Sequence, residues 1–140
     1  MNEAKKFVVQ RHERQKEPLR PPITTFEGRQ AQGGATHWDL MLEPASAGKA
    51  GDFLETYRIG KPPEQWGSEP IEAVRIFDHP LKFLTYEGSV NQGKGSVKIA
   101  DRGTYRVLSQ NEKQMILEIS GVILKGEFTF ATGGGRARRE

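Results

Sequence analysis

The histidines and the acidic residues near them are the side chains of this sequence that could bind a metal ion. Segment 37–43 reads His-Trp-Asp-Leu-Met-Leu-Glu and alternates polar with apolar residues, which is typical of a half-buried β-strand. On such a strand His37 and Asp39 share one face, roughly 6.5–7 Å apart, so an imidazole and a carboxylate can converge on one ion. His12 and His79 also lie in polar settings beside predicted strands, and one site can therefore include all three histidines.

Composition limits the classes to which the protein can belong. Its 140 residues suit a single domain with a modest core, because 35% are hydrophobic and 28% are charged. The net charge of +3 permits a nucleic-acid partner without arguing for one. The lack of cysteine excludes disulfides and thiolate ligands, so a bound metal must use histidine, carboxylate or water. The sequence has neither an apolar run of membrane-spanning length nor a signal-peptide core, and we expect a cytoplasmic protein.

Short segments with a two-residue period dominate the chain, and few segments carry a helical period. The predicted strands are 6–12, 37–43, 53–59, 72–77, 83–88, 96–100, 104–108, 115–120 and 126–131. The segment Asp101-Arg102-Gly103 is expected to form a tight hairpin turn between two of them. Many short strands at this spacing predict an all-β fold, a small closed or nearly closed β-barrel with long loops.

Two segments do not fit the strand pattern. Residues 14–36 contain three prolines and three glycines, so we expect a long loop insert of functional importance. Residues 133–140 are rich in glycine and arginine and are expected to form a flexible tail, or else a weak phosphate-contacting arm. The predicted organisation is one β-barrel domain over residues 1–132, followed by this tail.

Five segments carry a recognisable pattern in a fixed order. They are FVVQRH at 7–12, HWDLMLE at 37–43, FDHPLKF at 77–83, DRGTY at 101–105 and ISGVILKGEF at 119–128. This order resembles the 3′-phosphoesterase domain of bacterial DNA ligase D. The corresponding family segments read F-V-[VI]-Q-x-H, H-[YF]-D-L-R-L-E, E-D-H-P-L-x-Y, D-R-G-T-W and L-x-G-x-x-L-x-G-x-[FW]. The resemblance runs from about residue 5 to residue 131.

The resemblance implies a manganese-dependent phosphoesterase that acts in nucleic-acid repair. Members of the family remove a 3′-phosphate, and sometimes a 3′-terminal ribonucleoside, from DNA or RNA ends. His12, His37 and Asp39 match the family's metal ligands. Such a set leaves coordination positions for water and substrate oxygens, which suits phosphoryl transfer. The family also implies DNA ligase and polymerase repair proteins as partners, and we expect a monomer.

Three further residues are implied by the same resemblance to act in catalysis. His79 matches the family histidine that contacts the reacting phosphate, and Gln10 matches an active-site glutamine. Lys61 resembles a family lysine that is used in the phosphatase step.

Several positions depart from the family pattern. Met41 and Ile71 stand where the family has arginines, and Phe83 stands where it has a tyrosine. The insert at 14–36 separates two histidines that the family holds close together, and we expect it to fold over the site or to contact the nucleic-acid strand. These changes predict an intact metal site with fewer phosphate-binding groups. Three cations could compensate for them: Arg11, Arg14 and Lys61.

Other interpretations fit the same residues. The pair His37-x-Asp39 followed by His79 also fits the facial triad of an Fe(II) oxygenase, although an Arg-x-Ser motif for an oxo-acid cosubstrate is missing after His79. A catalytically decayed nucleic-acid-binding module would keep the barrel and accumulate changes such as Met41. Without either function, the pair is an exposed polar strand face, His12 is a surface histidine, and His79 caps a turn.

Overall fold

The structure, a computed structural model, describes residues 4–14, 36–44, 53–90, 93 and 95–133. Over these residues the chain forms nine β-strands and two short 3₁₀ helices, which confirms the prediction of an all-β protein. The helices are Pro63–Gln65 and Leu81–Leu84. The strands are β1 (Lys5–Arg14), β2 (Thr36–Leu42), β3 (Phe53–Ile59), β4 (Ile71–Glu72), β5 (Val74–Pro80), β6 (Gly88–Val90), β7 (Gly95–Gln110), β8 (Gln114–Gly121) and β9 (Lys125–Ala131).

The described strands form one strongly curled sheet, a half-barrel, in the order β4-β9-β8-β7-β1-β2-β3-β5, with β6 paired to β7. The two ends of this order, β4 and β5, are consecutive in the chain with only Ala73 between them. The Ala73 N–H donates to the Ala131 carbonyl of β9, whereas Val74 pairs with Arg58 of β3. The sheet therefore curls so far that the segment from β4 through Ala73 to β5 pairs with β9 at one edge and with β3 at the other.

The strand β7 is continuous over 16 residues, so the hairpin turn predicted at 101–103 is wrong. The Asp101 side chain is buried and accepts hydrogen bonds from the main chain of the β8–β9 turn. Gly103 allows a close approach to the neighbouring strand, because a Cβ atom there would lie 2.0 Å from the Ser120 carbonyl oxygen. Asp101 and Gly103 are of residue types that favour turns, but their contacts with β8 and the β8–β9 turn hold them in a strand.

The strand predicted at 83–88 is also wrong. The 3₁₀ helix begins after Pro80, and the next strand starts only at Gly88. Apolar residues of the helix pack against a small buried cluster on the sheet: they are Leu81, Phe83 and Leu84. These residues are apolar because they pack against this cluster, and not because they alternate along a strand.

Both faces of the curled sheet bury apolar side chains. The larger cluster forms the main core and includes Phe7 and Leu40. Val8, Met41 and Leu54 form the smaller cluster, which we call the apolar floor. Because side chains alternate along a strand, Leu40 enters the main core while its neighbour Met41 belongs to the apolar floor. The sheet thus separates a main core from a second face that is available for a site.

The predicted insert and tail fall mostly outside the described residues, which omit 15–35 and 134–140. The strands β1 and β2 extend to Arg14 and Thr36, so both outermost residues of the predicted insert are strand residues. The division into a domain at 1–132 and a tail stays a prediction. Among the described elements, none is a helix long and apolar enough to cross a membrane.

Candidate metal centre

Pairing of adjacent antiparallel strands places the predicted metal ligands side by side. His12 of β1 lies opposite His37 of β2, and Gln10 lies opposite Asp39. Asp39 in turn lies opposite Arg58 of β3. Directly opposed residues on antiparallel strands project to the same face with Cβ atoms about 4.5–5.5 Å apart. The pairing therefore gathers five polar side chains into one patch, although the two histidines are 25 positions apart in the sequence.

The candidate ligand atoms lie at spacings that one ion can bridge. His12 Nδ1 is 2.9 Å from His37 Nε2, which is 3.4 Å from Asp39 Oδ2. Taken together, one ligand atom from each of the three residues lies within 4.8 Å of the others. Two ligands at right angles on an ion with bonds of about 2.1 Å are separated by about 3 Å. The two nitrogens therefore have the separation expected of neighbouring ligands on one ion.

Three buried side-chain atoms in the described residues have no hydrogen-bond partner, and all belong to residues that line one pocket. They are Gln10 Oε1, His12 Nε2 and Asp39 Oδ1. Arg58 Nε lies 3.6 Å from Asp39 Oδ1, which is beyond hydrogen-bond distance. Each unpartnered buried polar atom costs about 1–3 kcal/mol. Because two of the three are oxygens that can only accept, the missing partner is a cation or a proton donor.

The pocket that contains these atoms lies against the apolar floor and measures about 490 Å³. This volume is within the range of small-ligand sites. Besides the three ligand residues it is lined by Gln10, Arg58 and His79. Among the described lysines and arginines, Arg58 alone lines it. The remaining lining residues are apolar: Met41, Phe77, Pro80, Phe83, Val90 and Val97.

His79 lies on the edge strand β5 and is oriented by a hydroxyl group. Its Nδ1 is 3.0 Å from Thr56 Oγ1, and the Thr56 hydroxyl donates its hydrogen to the Leu54 carbonyl. Thr56 therefore accepts the hydrogen bond from His79 Nδ1–H, which leaves His79 Nε2 for a ligand. Burial lowers the pKa of His79, and the charge of Asp39 opposes this only in part. The neutral imidazole is thus favoured near pH 7 in the absence of an anionic ligand.

Gln10 is fully buried, and its amide is fixed by the main chain that follows His79. Gln10 Nε2 donates to the Phe83 carbonyl at 3.0 Å and to the Tyr86 carbonyl at 2.8 Å. These two bonds tie the second 3₁₀ helix and its following turn to β1. The amide oxygen remains unpartnered at the pocket, so Gln10 both anchors this wall and offers the site one acceptor.

The surroundings of His12 favour the form of imidazole that binds metals. Burial lowers its pKa, and the neighbouring His37 lowers it further, against the opposing charge of Asp39. Metal ions bind the neutral form, so less proton competition is expected at neutral pH. A Cβ atom at Gly95 would lie 3.2 Å from His12 Nε2, which shows how closely β7 packs against the ring.

The structure brings five of the six predicted site residues to one pocket: Gln10, His12, His37, Asp39 and His79. Lys61 lies outside it and lines a separate cavity with residues that include Glu72. The Lys61 carbonyl accepts a hydrogen bond from the Trp66 indole, which serves the fold. The group close enough to share an ion contains His12 rather than His79, unlike the triad required by the oxygenase hypothesis.

Sequence reasoning missed Arg58 and Phe77, which both line the pocket. Arg11, one of the cations proposed instead, is half-exposed and pairs with Glu13 at 2.5 Å. The strand Phe53–Ile59 was predicted correctly, but its pairing opposite Asp39 was not available from its local pattern. One feature of the sequence could have identified Phe77 as a pocket residue: it is apolar at a position where the family pattern has glutamate.

These features define a class of protein, an all-β domain whose curled sheet carries a His-His-Asp group in a pocket with polar and apolar walls. Residues 29–132 match the family model described as the DNA Ligase D 3′-phosphoesterase domain. The chain therefore belongs to the DNA ligase D 3′-phosphoesterase domain family, and the resemblance is confirmed. The match includes His37, Asp39 and His79, whereas His12 precedes it. A search of curated proteins gave no match.

Proposed function

We propose that this chain is a manganese-dependent phosphoesterase that removes a 3′-phosphate or a 3′-terminal ribonucleoside from DNA or RNA ends in nucleic-acid repair. Membership of the family supports the reaction class. The observation that carries the proposal is the convergence of His12, His37 and Asp39 with three unpartnered buried polar atoms in one pocket. A divalent ion would bind the Asp39 carboxylate, and the attacking water would donate a hydrogen bond to Gln10 Oε1, so that the two unpartnered oxygens gain the contacts that they lack.

His12, His37 and Asp39 would hold the ion through two nitrogens and a carboxylate, a donor set that suits manganese, iron or zinc. The choice of manganese rests on the family. A bound divalent ion would polarise a phosphoryl oxygen, offset the charge that develops there, and lower the pKa of the attacking water so that its proton is lost to solvent. The remaining work, which is to position the phosphate and to move one proton, falls to residues of this chain.

His79 is the residue that we propose to contact the reacting phosphate. With Nδ1–H donating to Thr56 Oγ1, Nε2 would be the ring nitrogen that contacts the phosphate. A phosphate dianion beside Nε2 raises the pKa of the imidazole and favours its protonated form, which then donates to a phosphate oxygen or to the leaving oxygen. Gln10 Oε1 would accept a hydrogen bond from the attacking water, because it is a fixed and otherwise unpartnered acceptor.

Arg58 is proposed to supply the positive charge that the family places at the position of Met41. Met41 lies opposite Thr56 on β3, and Arg58 lies two residues farther along the same strand. The guanidinium is half-exposed at the pocket, so it can rotate from Asp39 to a phosphate oxygen without being desolvated first. An arginine at this place would bind the phosphate with two hydrogen bonds.

A primer assay with a matched control tests the proposal. A duplex primer that ends in a ribonucleotide 3′-phosphate is incubated with Mn²⁺ and the wild-type protein, His37→Ala or Lys61→Ala. We expect phosphate release from the wild type, its loss in His37→Ala, and its retention in Lys61→Ala because Lys61 lies outside the pocket. Mn²⁺ binding is measured on the same samples by calorimetry.

The two measurements separate the possible outcomes. Metal binding without phosphate release would overturn the catalytic proposal and favour a binding module. Release that survives His37→Ala would overturn the assignment of the metal ligands. DNA ligase or polymerase partner proteins are proposed on the basis of the family. The cytoplasmic location and the monomeric state stay predictions.

A further inference from the structure

Phe77 is an exposed aromatic residue at the rim of the candidate metal pocket. Its side chain is 73% exposed, far more than the other aromatic residue of the pocket, Phe83. Single exposed apolar residues are common on protein surfaces. What sets Phe77 apart is its place at the pocket and its contact with the His79 ring. The proposed roles of His12, His37, Asp39 and His79 leave this ring unexplained.

A β-bulge accounts for the position of the ring. On β3 the residues Leu54 and Thr56 are two apart, but their partners on β5, His79 and Ile76, are three apart. The extra residue in β5 redirects the side chains beside it, as bulges near functional sites commonly do. The Phe77 ring consequently stacks on the His79 imidazole with centroids 4.8 Å apart and planes 18° apart. Cα atoms two residues apart on a regular strand are roughly 6.5–7 Å apart, so the two rings lean toward each other.

The stack continues into the wall of the pocket. The His79 imidazole meets the Phe83 ring edge to face at 5.6 Å, and Phe83 meets Tyr86 in the same way at 5.5 Å. The Lys82 ammonium lies 5.4 Å from the centre of the Phe83 ring. Phe77 is therefore the outermost member of an aromatic row, in contact with His79 on one side and open to solvent on the other.

We infer that Phe77, supported by His79, is a stacking platform for the nucleobase of the terminal nucleoside. The inference rests on the proposed function, since it assumes that the phosphate of the same nucleoside lies at the metal group. His79 touches both partners, so the platform and the phosphate site are adjacent in one pocket of about 490 Å³. Every base has an aromatic face, so such a platform would bind ends of any sequence.

A comparison of base-bearing and abasic ends tests the platform. Each primer carries a 3′-phosphate, and its terminal nucleoside has either 2-aminopurine or no base. Affinities are measured without added metal for the wild type, Phe77→Leu, Phe77→Trp and the control Phe53→Leu, which changes another exposed phenylalanine that does not line the pocket. Stacking is followed independently through the quenching of 2-aminopurine fluorescence, and phosphate release with Mn²⁺ is recorded for every sample.

We expect the wild type to prefer the base-bearing end by roughly 5- to 150-fold, the range for stacking of one base on an aromatic side chain. Phe77→Leu should lose both the preference and the quenching, whereas Phe77→Trp and Phe53→Leu should keep both. A preference that is unchanged in Phe77→Leu would overturn the platform.

The readouts also separate this inference from the proposed function. Phe77-dependent stacking without phosphate release would support the platform and overturn the enzymatic proposal. Phosphate release without Phe77-dependent base preference would overturn the platform alone. A wild type that neither binds the primers nor releases phosphate would overturn both.

Discussion

Asp39 and Asp101 are both buried carboxylates on neighbouring parts of one sheet, but their surroundings differ. Asp101 accepts four main-chain N–H groups at 2.8–3.1 Å, from Arg102, Val122, Ile123 and Leu124. Asp39 has one oxygen without any hydrogen-bond partner and the other 3.4 Å from the His37 imidazole. Burial alone therefore does not distinguish a structural carboxylate from a candidate metal ligand.

The two carboxylates differ in whether main-chain groups of the protein supply all their hydrogen bonds. Gly121 makes room for the Asp101 carboxylate, because a Cβ atom there would lie 2.5 Å from Asp101 Oδ2. The β8–β9 turn thus closes around Asp101 and leaves it no capacity for a ligand. Asp39 keeps its capacity at the cost of an unpaired buried oxygen, which is the pattern expected of a ligand-binding group.

The largest expected effect is the loss of turnover in Asp39→Asn. Removal of one ligand charge weakens metal binding, and the several kcal/mol that a metal supplies in the transition state correspond to a loss on the order of 1,000-fold. The thermal midpoint without metal should change little, because Asp39 Oδ1 has no hydrogen bond and its ion pair with Arg58, at 3.6 Å, involves a half-exposed guanidinium. Asp78→Asn serves as a control, since Asp78 is exposed and pairs with Arg75. Near-normal turnover in Asp39→Asn would remove Asp39 from the site.

Asp101→Ala should give the opposite result. The substitution leaves the Leu124 N–H buried without a partner and loosens the β8–β9 turn, at an expected cost of about 2–4 kcal/mol in the free energy of unfolding. Urea unfolding measures the loss, and Asp101→Asn, which keeps one acceptor oxygen, should fall between. Phosphate release per folded molecule should stay within error of the wild type. A selective loss of turnover would assign Asp101 to function after all.

Arg58→Gln is expected to reduce kcat/KM by about 10- to 100-fold, because one charge-assisted pair of hydrogen bonds to the phosphate disappears. Initial rates at several salt concentrations should also show a weaker salt dependence than in the wild type. Arg11→Gln removes the same charge outside the pocket and should behave as wild type. An equal loss in both variants would indicate a general effect of net charge.

The smallest expected effect is stabilisation by the metal. At a Mn²⁺ concentration ten times its Kd, the free energy of unfolding should rise by about 1.4 kcal/mol, measured by urea unfolding with and without EDTA. The rise should persist in Asp101→Asn and disappear in Asp39→Asn. Stabilisation that is equal in both variants would mean that the ion binds elsewhere.

The local pattern of the sequence was sufficient for part of the site. The alternation from His37 to Glu43 predicted the strand and the shared face of His37 and Asp39, since both depend only on the two-residue period. Arg58 could not be found in this way, because its place opposite Asp39 depends on the register between β2 and β3. The position of the Phe77 ring likewise depends on pairing between strands, because it follows from a β-bulge between β3 and β5.

The errors in the fold have a related cause. Asp101 and Gly103 belong to the residue types of tight turns, and the interpretation as a hairpin followed from local preference. Contacts with Ser120 and with the β8–β9 turn, far along the chain, decide their actual conformation. The strand predicted at 83–88 was wrong for a similar reason, because the apolar residues of Leu81–Leu84 pack against a cluster on the sheet.

The junction at Ala73 has a consequence for self-association at the β4 edge of the sheet. Sheets with free edges can recruit strands from other molecules, which is a common start of aggregation. Here β4 and β5 share one run of chain, and the Ala73 N–H is already bound to Ala131 of β9. A strand from another molecule that tried to add beside β4 would meet the turn into β5 after two residues. Amide exchange at Ala73 should therefore report the opening of this seam before the rest of the sheet separates.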